Sequence, residues 1–336
     1  MSSLIGKLLF QLPPETAHRL AQHFINVRYG LLGNDIKTLQ KPIELFGLHF
    51  PNPVGLAAGW DKNAECVDAL FRMGLGFVEV GTVTPKPQAG NSKPRLFRIA
   101  EKQALINRMG FNNVGVDAMV MKLQSRKVPG IVGVNIGKNK DTALNHALTD
   151  YQLCLKAVYP YADYVVINIS SPNTPGLREL QSTHYLNQLL QGLQRAKKSL
   201  AGQYHRDVPL LVKTTVDLPQ MDYEGFVRAL MDNEIDGVVI SNTTLDHTSV
   251  ANCRYGNEMG GLSGAPLREG TTRMIAAIHQ ISNKKLPIIG VGGILSGEDA
   301  LAHWQAGAQL VQVYTGFVYR GPTLVHEILR VLEKMV

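Results

Sequence analysis

The chain has 336 residues, 45% hydrophobic and 18% charged, enough apolar material for a sizeable core, which excludes disorder over most of its length. Lys and Arg number 34 against 27 Asp and Glu, and this +7 is spread without a like-charged block, so no nucleic-acid partner is expected. Cys66, Cys154 and Cys253 are too far apart for a CxxC motif and odd in number, which argues for a reducing compartment, no disulfide framework and no metal site.

Residues 1–41 form a first unit, with five Lys/Arg against two Asp/Glu. A short apolar stripe, Leu4, Ile5, Leu8 and Leu9, precedes Pro13-Pro14, which can open a helix running to about Arg28. Ala17, Leu20, Ala21 and Phe24 make one face of that helix. The opening stretch is too short for a signal peptide. The longest apolar run, Leu286 to Leu295, is too short to span a bilayer.

From residue 42 to 336, short apolar runs alternate with helical stretches. The expected strands are Val54–Ala58, Phe77–Gly81, Ile131–Gly137, Tyr164–Ile169, Leu210–Thr214, Gly237–Ser241, Leu286–Val291 and Leu310–Tyr314. Helices are expected near Ala64–Met73, Val114–Ser125, Asp150–Tyr159, Tyr185–Leu200, Tyr223–Asn233, Thr271–Ile281 and Gly297–Ala306. Eight β-α units with continuously apolar strands predict an α/β fold, a (β/α)8 TIM barrel, over a doubly wound open sheet. The rival's dinucleotide fingerprint fails at Gly290-Val-Gly292-Gly293-Ile-Leu295, and no phosphate-loop motif occurs.

Barrel chemistry sits at the C-terminal strand ends, where this sequence places polar residues and glycine. Lys213 closes an apolar strand and points toward the barrel mouth; a Schiff-base nucleophile, an ion pair and a cation beside an anionic cofactor all remain open. Ser171 lies in the stiff loop Ser170-Ser-Pro-Asn-Thr-Pro-Gly176, which could also be an ordinary turn; no His or acid adjoins it, so a hydrolase triad has little support. Asn107, Asn168, Asn173 and Asn242 offer donors and acceptors without charge, suited to a planar ring with amide and carboxylate edges. Gly264, Gly292-Gly293 and Thr315-Gly316 follow three neighbouring strands where barrels bind phosphate through backbone N–H groups.

These features together resemble the class 2, quinone-dependent dihydroorotate dehydrogenases of the bacterial type. The motifs that carry the resemblance are Gly55-Leu-Ala-Ala-Gly59 with Asp61-Lys62, Gly81-Thr-Val-Thr-Pro85, Asn107-Arg-Met-Gly-Phe-Asn-Asn113, Asn135-Ile-Gly-Lys-Asn139, Asn168 to Gly176, Gly260-Gly-Leu-Ser-Gly264 and Gly290-Val-Gly-Gly293. The resemblance implies oxidation of dihydroorotate to orotate, the fourth step of de novo pyrimidine synthesis, with hydride passing to FMN and a membrane quinone reoxidising it. It places FMN against Ala57, Ala58, Gly59, Lys62, Thr82, Asn135, Asn168, Lys213, Ser241, Gly264, Gly293, Tyr314 and Thr315. It assigns the substrate to Lys62, Asn107, Arg108, Met109, Gly110, Phe111, Asn168, Asn173, Asn242 and Thr243, with Ser171 as catalytic base. His18, Arg98 and Tyr314 match the quinone site, and residues 1–41 match a two-helix extension lying on the membrane. A monomer bound peripherally at the cytoplasmic face of the cell membrane is the implied state. The sequence departs from the family's usual pattern at Trp60, at Thr214-Thr215-Val216 and at Ser241, and Trp60 could alter packing around Lys62. The competing readings are another flavin barrel reductase using NAD(P)H, a Schiff-base aldolase built on Lys213, and a non-catalytic protein binding membranes or nucleic acid.

Overall fold

A computed structural model describes residues 8–31 and 39–334. Helix α1 (Pro14–Ile25) continues into a wider, π-type turn over Asn26–Leu31. A hairpin of β1 (Ile43–Leu45) and β2 (Leu48–Phe50) leads into β3 (Val54–Leu56), α2 (Val67–Arg72) and β4 (Phe77–Val83). Strands β5 (Leu96–Ile99) and β6 (Ala104–Asn107) follow, then α3 (Val116–Gln124), β7 (Ile131–Ile136), α4 (Ala147–Val158) and β8 (Tyr164–Asn168). Next come α5 (Thr183–Tyr204), β9 (Leu210–Thr215), α6 (Tyr223–Asp232), β10 (Gly237–Asn242) and β11 (Gly261–Gly264). The chain finishes with α7 (Arg268–Ile281), β12 (Ile288–Val291), α8 (Gly297–Gln305), β13 (Leu310–Val313), α9 (Thr315–Arg320) and α10 (Thr323–Glu333).

Strands β3, β4, β7, β8, β9, β10, β12 and β13 close into a parallel barrel in that order, as the eight apolar runs predict. Strand bounds shift by one or two residues from the sequence reading. Side chains alternate between the helix-covered outer face and the barrel interior. At the bottom the interior is filled by Phe50, Phe77, Tyr164, Leu211, Ile289 and Leu310, with Phe46 of the hairpin packed beneath. Gly133 makes room for this plug: a Cβ there would lie 2.1 Å from the Tyr164 ring. Two strand positions above Phe77 and Leu211, the same inward faces carry Glu79 and Lys213, and the filling changes from apolar to polar.

The sequence reading lacks β1, β2, β5, β6, β11 and the last two helices. Phe46 and Gly47 both have positive φ, the conformation of a two-residue hairpin turn, but Phe-Gly is not a usual signature for it. Strands β5, β6 and β11 form a small antiparallel sheet whose β6–β11 register pairs Asn107 with Gly261, bringing Asn107 over the barrel mouth. The expected face of α1 divides: Ala17 is buried, whereas Leu20 and Phe24 are exposed, as are Leu8, Leu12 and Val27. Leu4 and Ile5 lie outside the described residues. No helix among the described residues is long and apolar enough to cross a membrane.

Candidate active site

The C-terminal ends of the strands surround an open chamber of about 980 Å³, counted out to its mouth. Lys213 rises from β9 into its floor, 5% exposed, with Nζ 3.5 Å from Oε1 of the fully buried Glu79 on β4. Of the three roles open to Lys213, the geometry supplies an ion pair. Glu79 is doubly held besides, accepting from Asn135 Nδ2 at 2.8 Å and from Gln312 Nε2 at 2.6 Å. Burying a carboxylate this completely demands such partners.

From Asn135 the network climbs the wall. Asn135 Oδ1 accepts from Thr82 Oγ1 at 2.6 Å and from Asn168 Nδ2 at 3.0 Å. Asn242 Nδ2 donates to Ser170 Oγ at 3.1 Å, and Asn173 Nδ2 donates to the Asn107 carbonyl at 3.1 Å. All four asparagines singled out from the sequence therefore meet at one chamber. Ser171, 6% exposed, lines it and accepts only a weak 3.3 Å bond from the Asn173 backbone N–H. The Ser171 loop is tied to β10 by Arg178, which donates to the carbonyls of Ser170 and Thr243 at 3.2 Å each and pairs with Asp217 at 2.8 Å.

Lys62 stands on the opposite rim, its Nζ donating to the Gly59 carbonyl at 2.8 Å. Burial, then the charge of Arg95, pushes its ammonium down to about 8. Neighbouring Asp61 is pushed up to about 6 by burial although it accepts from the N–H groups of Cys66 and Glu65 at 2.7 and 2.8 Å. Those two bonds fix the turn from which Lys62 projects.

On the far side the chamber is walled by backbone. Gly264, Gly292 and Gly293 have positive φ. A Cβ at Gly293 would lie 2.3 Å from Arg268 Cα, and one at Gly264 would lie 2.2 Å from the Gln103 carbonyl. Only bare backbone fits there, which suits a phosphate-bearing group entering beside β11, β12 and β13.

Most of the expected site residues line this chamber: Ala57, Ala58, Gly59, Lys62, Thr82, Asn107, Met109, Gly110, Phe111, Asn168, Ser171, Asn173, Lys213, Ser241, Asn242, Thr243, Gly264, Gly293, Tyr314 and Thr315. Asn135 sits directly beneath, fully buried. Arg108 is not brought to the chamber: its guanidinium turns outward to Glu258 at 2.7 Å and lies over the Phe97 ring. Gln312, Ser263 and Val291 also line the wall, and Glu79 supports it; the sequence reading passed over all four.

Behind the chamber runs a second, apolar cavity of about 1320 Å³ between α1 and the barrel. Leu9, Phe10, Ala17, Ala21, Phe24 and Ile25 face it from the N-terminal segment, Leu96 and Leu105 from β5 and β6, and Phe317 and Val318 from α9. His18, Arg28 and Arg98 are among its polar lining groups, and Tyr314 borders both cavities. The His18 ring carries its proton on Nε2, since it meets the Trp60 carbonyl at 2.9 Å. Burial first, then the charge of Lys62, lowers the imidazole to about 4. Arg98 donates to the Phe10 carbonyl at 2.8 Å and covers its ring at 4.3 Å. Trp60 packs edge-on against His18 and Phe317 and lines this channel, so its bulk adds to the channel wall. The other departures are absorbed by hydrogen bonds, Thr214 to Gln181 at 3.0 Å, Thr215 to the Thr243 carbonyl at 3.2 Å and Ser241 to Thr271 at 3.2 Å.

Comparison with known proteins gives a consistent result. The family model described as dihydroorotate dehydrogenase matches residues 41–336. Among curated proteins named dihydroorotate dehydrogenase (quinone), one from Shewanella denitrificans is 49% identical, covering 98% of both chains. One from Idiomarina loihiensis is 51% identical over 98% of this chain and 99% of its own. The crystal structure of DHODH from Eimeria tenella in complex with ferulenol superposes with a TM-score of 0.91 at 36% identity, covering 100% of this chain and 95% of that one.

Proposed function

The chain belongs to the dihydroorotate dehydrogenase family as a quinone-dependent member that oxidises dihydroorotate in pyrimidine biosynthesis, and from that premise we propose how its two cavities share the work. The polar chamber takes the pyrimidine together with FMN, and the apolar channel takes the quinone. The observation that carries this division is Tyr314, which lines both cavities and so brings them side by side.

The residues present fit FMN. The bare backbone at Gly264 and Gly293, with Thr315, suits its phosphate, while Ala57, Ala58, Gly59, Thr82, Asn168, Ser241 and Tyr314 surround the space for its ring and Asn135 supports Thr82 and Asn168 from beneath. When bound, the flavin supplies two-electron chemistry, accepting hydride from the substrate and passing electrons to the quinone. Lys213, which lines the chamber, would set its ammonium near the bound ring and so would favour the negative charge that reduction adds.

Lys62 pairs with the substrate carboxylate, and the amides of Asn107, Asn168, Asn173 and Asn242, with Thr243, satisfy the pyrimidine's donors and acceptors. Met109, Gly110 and Phe111 close over it, and Ser171 Oγ accepts the proton leaving C5. A serine is a weak base at neutral pH, so the removal must run in a dry chamber and in concert with loss of hydride. Arg178 supports this by tying the Ser170 carbonyl, next to Ser171, to the Thr243 carbonyl at the end of β10.

Residues 1–41 lead the quinone in. Exposed Leu8, Leu12, Leu20, Phe24 and Val27 favour peripheral contact with the cytoplasmic face of the cell membrane, beside a channel whose own lining is apolar. Absorption spectroscopy tests the whole reading. Purified protein should show flavin bands that bleach with dihydroorotate and return with a quinone; colourless protein that takes up no FMN overturns it.

A further inference from the structure

We propose that Glu79, the buried counter-ion of Lys213, is a positioning residue whose own negative charge holds down the reduction potential of the flavin. The inference rests on the reading that FMN occupies the mouth chamber. Glu79 itself lies below the chamber lining and is fully buried, so it is not offered as a contact of any ligand.

Three observations carry the inference. The carboxylate on β4 and the ammonium on β9 meet at 3.5 Å across the barrel interior, from strands separated by β7 and β8, so this layer is neutral overall rather than cationic. Two amide donors, Asn135 at 2.8 Å and Gln312 at 2.6 Å, hold the carboxylate in one orientation, and Gln312 also lines the chamber. Asn135 then passes the hydrogen-bond chain to Thr82 and Asn168, which face the ligand space. A buried pair of this kind adds little to stability compared with apolar packing, yet the apolar plug gives way to it only at the level of the chamber floor.

Its electrostatic consequence has a definite sign. Two-electron reduction of a flavin with uptake of one proton adds one negative charge to the ring system. A lone buried ammonium would stabilise that charge strongly and make the reduced form reluctant to give up its electrons. Glu79 opposes part of this attraction, keeping the potential low enough for a quinone to be reduced, and holds Nζ in place.

The test compares holoenzyme potentials, read from the visible spectrum during equilibration with a reference dye, for the wild type, Glu79→Gln, Lys213→Gln and the double variant. Glu79→Gln should favour flavin reduction by at least about tenfold, which is about 30 mV upward for a two-electron couple. Lys213→Gln should move it downward, and the double variant should lie about tenfold above Lys213→Gln. If the buried cation left in Glu79→Gln prevents folding, the comparison of Lys213→Gln with the double variant decides. A potential that is unmoved or lowered by loss of Glu79, in either background, overturns the inference even if flavin content or thermal stability falls. Wild-type protein that neither contains nor takes up FMN instead overturns the reading beneath it.

Discussion

The docking of α1 should loosen in mild acid, and His18 sets the range. Its imidazole is held at about 4 against an ordinary 6.5, chiefly by burial. A group depressed in this way contributes stability that is complete above its ordinary value and is lost as the pH falls toward the depressed one. At about pH 5 an undocked imidazole is protonated roughly thirty to one, whereas a docked one is about one part in ten protonated, so undocking becomes up to about thirtyfold easier, at most about 2 kcal/mol. Lys62 adds repulsion to the charged ring, whereas Glu15 favours it. Glu15 also ties α1 to Arg95 at 2.8 Å; burial raises its carboxyl, but Arg95 and Lys93 together outweigh that and hold it below its ordinary 4.5, so it stays ionised through this range. Hydrogen exchange of the α1 amides, corrected for intrinsic rates, should show the loss of protection between about pH 8 and pH 5. His18→Gln keeps a donor for the Trp60 carbonyl and removes the titration. Unchanged protection in the wild type, or the same loss in His18→Gln, would refute the argument.

Four further outcomes follow from the site. The KM for dihydroorotate should rise about tenfold per pH unit above about 8, where Lys62 loses its proton, and Lys62→Arg should remove that rise from a steady-state pH profile. Ser171→Ala should slow flavin reduction by at least about a hundredfold in stopped flow while leaving reoxidation by quinone near the wild-type rate. Gly293→Ala forces a Cβ to 2.3 Å from Arg268 Cα at a positive φ, so FMN retention on gel filtration should fall and stability drop by about 2 kcal/mol or more. Ala21→Trp fills the apolar channel and should raise the KM for a long-chain quinone without altering reduction by dihydroorotate.

The barrel was legible because parallel strands covered on both faces leave an apolar run at each of eight places, and the polar residues ending those runs mark the mouth. Lys213 stood out as a charge terminating such a run. Glu79 did not, because Phe77-Val-Glu-Val-Gly81 reads as an ordinary strand. A signal was present nonetheless: Phe77 and Glu79 are two apart and share a face, so a strand that buries Phe77 must bury Glu79 and find it a cation. Arg108 misled for the opposite reason, since its motif neighbours Asn107 and Met109 face the chamber while its own long side chain finds Glu258 outside. The sheet of β5, β6 and β11 depends on pairing Asn107 with Gly261, a long-range register that no local pattern announces.

On the reading that the pyrimidine takes the polar chamber and the quinone the apolar one, with Tyr314 lining both, the two clients of this protein arrive from different solvents and need not displace each other. A compound shaped to the lipid-side entrance would compete with the acceptor alone, so a rising pool of pyrimidine precursor could not wash it out.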